Sequence, residues 1–533
     1  MKQWWWGLVG ITLVGGILRF WGLGQIPPSL DWDEVSMGYN AHSILRTGRD
    51  EFGKKWPMYF RALDDYKLPV YTYLTAGSIA VFGYNDWAVR LPSAATATAT
   101  VALVGVLVYL LFADRFLAVA GAAMMAVSPW HLQFSRMASE VNVGLFWLTL
   151  GAVLLMVGMK RRRRWGLGWG SLSLGIASYT YLSFRVIAPV WGLGWVWIYR
   201  QSLSRASRLC LTALMIGVLV MGLGRSHVRI KGTNVFETDE AYAVFKQTEK
   251  EMFYDARLGI NFTRRLLHDS KWLPTLVIIA KGYLVHWSPT FLFFDYEEKQ
   301  HQTPFVGLNY LFLLPVLVAG QYYLVARGEN RGVKAILWWL LLAPLPAAVT
   351  RGVPHAGRTL AMTVPLMVIA AFGWRFGVRR LPGLIKVVVV LIVGLSVGQY
   401  LHQYWVHLSQ ERSGTWQYGR KEMTEYVASY KGEYDRVVVS TKLEWPYIFM
   451  LYYSRYDPAA YLAQGGTKSG GWGEEGNRYD KYEFHQFRPE DLHDPKTLFV
   501  GTPDELVGRV ESVQVINYLD GQPAIVIGPG RAR

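Results

Sequence analysis

Three acidic side chains cluster directly after the first apolar segment of the chain. The stretch Pro27–Glu34 contains Asp31, Asp33 and Glu34. Acids in this spacing are typical of a helix N-terminus, where one carboxylate caps the helix and others complement its dipole. A carboxylate within hydrogen-bond reach of an acceptor hydroxyl can also act as a general base. The stretch is therefore a candidate catalytic loop, and the capping interpretation stays open beside it.

The composition indicates what kind of protein positions these acids. The chain has 533 residues, of which 52% are hydrophobic and 18% are charged. Repeated apolar runs near twenty residues long predict a polytopic helical membrane protein in contact with membrane lipids. The net charge of +16 could indicate nucleic-acid binding. Lysines and arginines concentrate in short loops between apolar runs, however, which is their topological use, so we predict no nucleic-acid partner.

Eleven apolar segments are predicted to span the membrane. They lie at about 4–21, 89–112, 116–129, 139–159, 165–181, 185–200, 208–224, 305–326, 333–350, 359–378 and 384–405. We place the N-terminus in the cytoplasm and let 70–82 and 272–294 lie in the interface as juxtamembrane helices. All strongly basic short loops then fall on the cytoplasmic side. This predicts a multi-pass plasma-membrane protein whose first loop 27–88 and amphipathic segment 225–304 are external.

The tail differs in composition from the membrane segments. Short apolar runs at 436–440, 497–501 and 524–528 predict buried strands, and helical stretches at 420–430 and 446–453 lie between them. We therefore predict a transmembrane domain over 1–405 and a small external α/β domain over 406–533. Gly465–Gly476 is glycine-rich and is interpreted as a flexible linker.

A further acid, Glu140, stands at the external start of a predicted span. It either caps that helix or faces Asp33 as a second carboxylate that orients substrate or shares a cation. A divalent cation could bind Asp33, Glu34 or Glu140 through oxygen atoms, although nothing in the sequence demands one. No paired-histidine spacing and no cysteine pair is present, so a structural zinc site is not predicted.

Basic residues on the predicted external side are not explained by topology. They are Lys67, Arg185, Arg351, His355 and Arg358. Each could contact lipid headgroups or the tail. Together they suit a phosphate or diphosphate whose lipid chain lies between helices, because arginine offers a bidentate fork to such groups.

Several short motifs around the first external loop are shared with a known family. They are Trp32-Asp33-Glu34, Gly38-Tyr39-Asn40-Ala41, Asp64-Asp65-Tyr66-Lys67-Leu68-Pro69 and Arg90-Leu91-Pro92-Ser93. These motifs resemble the family 39 glycosyltransferases of the GT-C class, whose relatives include protein O-mannosyltransferases and the lipid A aminoarabinose transferase. The similarity in organisation covers about residues 1–420 and is most specific over 30–93.

The resemblance implies the GT-C fold, a polyprenyl-phosphate-linked sugar donor and catalysis in the first external loop. Asp33 matches the family's base, and Lys67 matches the lysine that meets the donor phosphate. Two departures occur: Leu68 stands where relatives often have proline, and Tyr66 stands where the aminoarabinose enzyme has an acid that joins a metal site. A carried-over zinc is therefore not expected.

These observations together predict a glycosyltransferase that moves a sugar to a lipid, protein or glycan acceptor, with inversion. The predicted site residues have three roles. Catalysis is assigned to Asp33, Glu34 and Glu140, donor-phosphate binding to Lys67, Arg185, His355 and Arg358, and substrate binding to Tyr39, Asp65, Tyr66 and Tyr181.

Two other functions predict different sequence features or a different activity. A transporter or flippase for lipid-linked sugars should have ionisable residues in mid-span and repeated halves, whereas here the charges lie at one rim and no repeat is visible. A non-catalytic glycolipid-binding scaffold would differ only by lacking turnover.

Overall fold

The computed structural model describes most of the chain. The described residues are 3–63, 65–224, 235–260, 262, 264, 267–268, 272–294, 300–326, 330–468, 477–488 and 492–531. The chain divides into two compact units that alternate along the sequence. The first unit contains Met1–Gly15, Thr98–Leu132 and Gly144–Gly398, and the second contains Gly16–Ala97, Gln133–Val143 and Gln399–Arg533.

The structure is mostly α-helical up to residue 411. The α-helices in this part are Gln3–Phe20, Trp32–Thr47, Pro69–Phe82, Asp86–Phe112, Arg115–Val127, Pro129–Ser135, Glu140–Lys160, Arg164–Ala177, Phe184–Ile198, Arg205–Gly224, Asp239–Arg257, Trp272–Val285, Pro289–Phe293, Leu313–Val325, Arg331–Leu342, Leu345–Ala348, Thr363–Phe376, Gly383–His402 and Leu408–Glu411. Each segment that the sequence predicts to span the membrane overlaps at least one of these helices.

Length and composition set apart the helices that could cross a bilayer. In the described part of the chain, five stretches qualify: Asp86–Phe112, Glu140–Lys160, Trp272–Phe293, Leu360–Arg380 and Gly383–Glu411. Four shorter apolar helices accompany them, at Trp4–Phe20, Arg115–Val127, Phe184–Ile198 and Leu313–Val325. The membrane character of the protein follows. The total of eleven spans, the orientation and the interfacial placement of 70–82 and 272–294 stay predictions.

Close helix packing in the first unit depends on small residues. The helices Leu313–Val325 and Thr363–Phe376 meet at Gly320 and Gly373. A Cβ atom on Gly320 would collide with the Ile369 carbonyl, and one on Gly373 would collide with the Val316 carbonyl. The two backbones can therefore approach only because both positions lack a side chain, as is common between membrane helices.

The second unit is organised around the helix Trp32–Thr47, here called the loop helix. It packs against the helices Pro69–Phe82 and Pro446–Tyr453. At Gly38 an added Cβ would lie 2.6 Å from the Tyr452 ring and 3.0 Å from Val89. Glycine lowers helix propensity by about 1 kcal/mol relative to alanine, and here it permits this close contact.

The tail forms an α/β arrangement, as predicted. Its helices are Arg420–Tyr430, Pro446–Tyr453, Pro458–Ala463 and Pro503–Leu506. After the hairpin strands β1 (Phe60–Ala62) and β2 (Asp65–Lys67) of the second unit, the strands of the tail are β3 (Arg436–Val439), β4 (Arg478–Tyr479), β5 (Tyr482–Phe484), β6 (Thr497–Gly501), β7 (Gln514–Asn517) and β8 (Pro523–Pro529). The six strands are ordered β4-β5-β3-β6-β8-β7. The β3 strand pairs in parallel with β5 and β6, and the outer pairs are antiparallel.

The sheet has its own apolar core. Val438, Phe499 and Val526 come from three neighbouring strands, and Leu506 and Val510 cover them. Each is almost completely buried. The predicted strands at 436–440, 497–501 and 524–528 and the two predicted helices are confirmed to within a few residues. Of the glycine-rich stretch, 469–476 lies outside the described residues.

Candidate active site

The acidic stretch first explains how the loop helix begins. The Asp31 carboxylate accepts a hydrogen bond of 2.8 Å from the Glu34 backbone N–H, and Glu34 Oε2 accepts one of 3.2 Å from the Asp31 N–H. This reciprocal capping box satisfies two amides that the helix leaves unpaired. The capping interpretation is therefore confirmed for Asp31. Burial, followed by the charges of Glu34 and Asp33, raises the pKa of Asp31 to about 8.

Glu34 is fully committed to a buried ion pair. Its Oε1 accepts from Arg90 Nε at 2.9 Å and from the Ala138 N–H at 2.6 Å, and its Oε2 accepts from Arg90 Nη2 at 2.8 Å. The side chains of Glu34 and Arg90 are 1% and 0% exposed. In this structure Glu34 therefore has no oxygen left for a substrate or a cation. Glu34 therefore positions the start of the loop helix beside Asp33, whereas the sequence predicts a catalytic role for it.

Arg90 also hydrogen-bonds to the chain segment that precedes the loop helix. Its guanidinium donates to three further backbone carbonyls, those of Leu23, Pro27 and Ser29. All five N–H directions of the planar guanidinium are thereby used. Arg90 belongs to the motif quoted above, but the sequence alone assigns it no role.

Lys67 lies between two carboxylates. Its Nζ is 2.7 Å from Asp33 Oδ2 and 4.0 Å from Glu140 Oε2. Lys67 ends the second strand of a short antiparallel hairpin, β1 (Phe60–Ala62) paired with β2 (Asp65–Lys67), and Glu140 begins the helix Glu140–Lys160. The second unit thus brings together three of the residues that the sequence predicts at the site.

The exposure of the acids differs sharply. The Asp33 side chain is 41% exposed, whereas Glu140 is 6% and Glu34 is 1% exposed. Asp31 is also buried. Asp33 is therefore the one acid of this group that a substrate hydroxyl can reach, and the ammonium of Lys67 complements the charge of its ionised form.

The arrangement does not fit a divalent cation held by Asp33 and Glu140. In the described part of the chain no group of three histidine, cysteine, aspartate or glutamate side chains is placed to hold a metal ion. The Lys67 ammonium already bridges the two carboxylates. Divalent cations of the calcium and magnesium type prefer six or more oxygen ligands, so we derive no step through a metal.

Four predicted residues lie in the first unit. Arg185 is the second residue of the helix Phe184–Ile198 and is 4% exposed, and Tyr181 is partly buried just before that helix. Arg358 Nη1 donates to Thr350 Oγ1 at 2.8 Å and to the Arg351 carbonyl. That these cations meet a donor phosphate stays a prediction.

His355 is held in one orientation by its neighbours. Its ring Nδ1 accepts a hydrogen bond of 3.2 Å from the Gly357 backbone N–H. The backbone N–H of His355 donates to His286 Nε2 at 3.2 Å. Because Nδ1 accepts a hydrogen bond, Nε2 is the ring nitrogen that can donate one. His301 lies against the ring at a centroid distance of 5.5 Å. Sequence reasoning missed His286 and His301, which no motif marks.

The other residues predicted to bind substrate differ in their exposure. Tyr39 is completely buried, with its ring edge against Tyr461, so in this structure it offers no surface to a substrate. Tyr66 is exposed and pairs with Arg61 across the hairpin. Asp65 lies in the same strand, and its side chain lies outside the described part of the structure, as does Asp64.

A buried network joins the loop 27–88 to the tail. Glu51 accepts hydrogen bonds from Asn40 Nδ2 at 2.8 Å, Thr467 Oγ1 at 2.7 Å and Tyr447 Oη at 3.2 Å. Burial raises the pKa of Glu51 to about 7, against the hydrogen bonds from Thr467 and Asn40, which lower it. Glu51 is therefore a titratable side chain that helps to join the loop to the tail.

Glu51→Gln is expected to flatten the pH dependence of stability. Because the folded pKa is raised, the folded state binds the proton more tightly, so the contribution of Glu51 is complete below about pH 4.5 and is lost as the pH rises to about 7. The loss amounts to about 3 kcal/mol. Denaturant unfolding of the protein in detergent between about pH 5 and pH 8 measures it. The exposed Glu433→Gln is the control, and equal slopes for both variants would contradict the assignment.

Comparisons with known proteins identify the fold. No protein-family model and no curated protein matches the sequence. Among the solved structures that resemble it are two of ArnT and one of AglB. ArnT from Cupriavidus metallidurans in the apo state is 11% identical over 98% of this chain and 97% of that chain, with a TM-score of 0.55. ArnT from the same organism bound to undecaprenyl phosphate is 14% identical over 99% and 98% of the two chains, with a TM-score of 0.52.

The third structure is the archaeal oligosaccharyltransferase AglB from Archaeoglobus fulgidus, in complex with an inhibitory peptide and a dolichol-phosphate. It is 13% identical over 85% of this chain, with a TM-score of 0.50, and this chain spans 64% of its length. At these identities the similarities establish architecture. The protein has the GT-C fold of membrane glycosyltransferases, as its motifs predict.

Proposed function

We propose that this protein is a glycosyltransferase that moves a sugar from a polyprenyl-phosphate-linked donor to an acceptor at the external face of the plasma membrane. The observation that carries the proposal is the exposed Asp33 carboxylate held by Lys67, beside three acids that are buried. The GT-C fold supports it, since ArnT with undecaprenyl phosphate and AglB with dolichol-phosphate share that fold.

Asp33 acts as general base in a single displacement. Its carboxylate takes the proton from the acceptor hydroxyl or amine as the acceptor oxygen or nitrogen attacks the anomeric carbon. The new bond forms from the acceptor lone pair, and the bond between the anomeric carbon and the phosphate oxygen breaks. The phosphate oxygen keeps that electron pair, so polyprenyl phosphate leaves as an anion and the anomeric configuration inverts.

Lys67 has two roles in this scheme. Its ammonium pairs with Asp33 Oδ2 at 2.7 Å. A phosphate at the same ammonium competes for it, which frees Asp33 Oδ2 to accept a proton. As the phosphate leaves, the ammonium stabilises the growing negative charge. Glu140, at 4.0 Å, keeps the ammonium in place from the other side.

Lys67→Met is expected to lower kcat/KM for the donor by about a hundredfold, because both phosphate binding and leaving-group stabilisation are lost. Lys67→Arg keeps the charge and is expected to lose much less. The measurement is the initial rate of sugar transfer against donor concentration. Lys55→Met, an exposed lysine of the same loop, is the control. If Lys67→Met leaves the donor kinetics unchanged, Lys67 does not bind the donor phosphate.

The proposed function is tested with the full-length protein reconstituted in vesicles. Polyprenyl-phosphate carriers bearing radiolabelled sugars are supplied together with a membrane extract as acceptor source. Covalent label on a lipid, protein or glycan supports a transferase. Label that crosses the bilayer still attached to its carrier indicates a transporter, and label that stays bound and unchanged indicates a scaffold. Either of these outcomes would overturn the proposal.

A further inference from the structure

A large cleft lies entirely within the second unit and has no role in the scheme above. Its volume is about 910 Å³, near the upper end of the roughly 300–1,000 Å³ typical of small-molecule sites. Three parts of the chain form its walls: the end of the first apolar segment, the start of the helix Asp86–Phe112 and the tail domain. Its lining residues are Phe20 to Gln25, Tyr84 to Trp87, Lys421, Glu425, Tyr452, Tyr453 and Arg455.

Six of the fifteen residues that line the cleft are aromatic. Trp21 follows the first apolar helix, Trp87 lies in the first turn of the helix Asp86–Phe112, and Tyr84 and Tyr453 are partly buried. Tyr452 is only 2% exposed and contributes little surface. Trp21 is 70% exposed, so no other described part of the chain covers its ring. Flat aromatic faces contact the apolar C–H face of a sugar ring, and the Tyr and Trp polar atoms can hydrogen-bond its hydroxyl groups. This combination favours a ligand with apolar faces and polar edges.

The charged side chains of the cleft balance one another. Lys421 and Arg455 are cationic, and Asp86 and Glu425 are anionic. Asp86 accepts a hydrogen bond of 3.1 Å from Tyr452 Oη. Lys421 and Glu425 are exposed, and neither side chain hydrogen-bonds to another residue that the structure describes. With no excess of either charge, the cleft does not select a phosphate, and its donors and acceptors suit a neutral polyol.

The cleft adjoins the support of the catalytic loop. Leu23 lines the cleft, and its carbonyl accepts from Arg90 Nη1 at 3.1 Å. Asp86, another lining residue, precedes Arg90 by four residues in the same helix. Arg90, which pairs with Glu34, therefore also supports the cleft wall through its hydrogen bond to the Leu23 carbonyl.

We propose that this cleft binds a neutral, hydroxyl-rich glycan that forms the non-reacting part of the acceptor. The role of this glycan as acceptor rests on the proposed function, whereas the binding of a glycan by the cleft does not. Binding energy from a remote part of a substrate positions the reacting hydroxyl, so loss of the cleft should affect transfer to long acceptors more than to short ones.

Binding is tested with the purified full-length protein and neutral oligosaccharides of glucose, mannose, galactose and arabinose, two to six sugars long. Saturation-transfer NMR detects binding, and titration gives Kd. We expect at least one series to bind. Trp87→Ala and the double variant Lys421→Ala/Glu425→Ala should each raise Kd about tenfold or more. The double variant alters only exposed side chains, so folding is retained, and Trp169→Ala in the first unit is the control.

Several results would overturn the inference: no oligosaccharide binds, binding is unchanged in both cleft variants, or a short-chain zwitterionic phospholipid binds there and sugars do not displace it. Asp33→Asn separates this inference from the proposed function. If it binds oligosaccharide normally while no protein form transfers sugar, the proposed function fails and the cleft assignment stands. If transfer proceeds and the cleft variants change neither Kd nor acceptor kinetics, the cleft assignment fails alone.

Discussion

Asp33→Asn is expected to lower kcat for sugar transfer by about 10²–10⁴-fold, the range that general-base catalysis contributes. The amide keeps the size of the side chain and can still accept a hydrogen bond from Lys67, but it cannot take the acceptor proton. Because Asp33 is 41% exposed, the change should leave folding intact. Initial rates with labelled donor, together with size-exclusion profiles, measure both consequences.

The matched control for this variant is Asp435→Asn. Asp435 is also paired with a lysine, Lys496, and is 78% exposed in the tail domain. It should transfer sugar at the normal rate. If Asp33→Asn binds donor, folds normally and still turns over near the normal rate, Asp33 is not the base.

Arg90→Met is expected to destabilise the protein by about 3–5 kcal/mol, because it leaves the Glu34 carboxylate buried without its partner. It also removes the donors to three backbone carbonyls. Arg90→Lys keeps the charge but can make fewer of these bonds, so its loss should be intermediate. Denaturant unfolding in detergent measures both variants against Arg46→Met, an exposed arginine of the loop helix.

A double variant tests whether the pair itself is responsible. Glu34→Met/Arg90→Met removes the stranded charge, so it should be more stable than the sum of the two single losses predicts. The coupling expected for residues in direct contact is about 0.5–3 kcal/mol. Additive losses, or an Arg90→Met protein as stable as the natural one, would show that the ion pair does not hold the loop.

The elements of this protein are well marked in its sequence. The strands at 436–439 and 497–501 appear as short runs of branched and apolar residues, because both faces of a central strand are buried. Predicted membrane segments contain helices for a similar reason, since apolar runs without breakers leave the backbone no other way to pair its amides in lipid.

The candidate site was only partly visible in the sequence. Motifs identified Asp33 and Lys67, and the structure brings them within 2.7 Å. Which acid is exposed depends on how the capping box orients the first turn of the loop helix, which composition does not reveal. Partners far apart in sequence, such as Glu51 and Tyr447 at a separation of 396 residues, carry no local signal. The same holds for Glu34 and Arg90.

The anomeric configuration of the transferred sugar tests the central claim most directly. A donor carrying ¹³C at the anomeric carbon is incubated with the reconstituted protein and acceptor, and the product is examined by NMR. Direct attack by an acceptor deprotonated by Asp33 predicts a product of inverted configuration that forms with the natural protein and not with Asp33→Asn. A product of retained configuration, which requires a covalent sugar–enzyme intermediate, would contradict the account, as would the same product formed at the same rate without the Asp33 carboxylate.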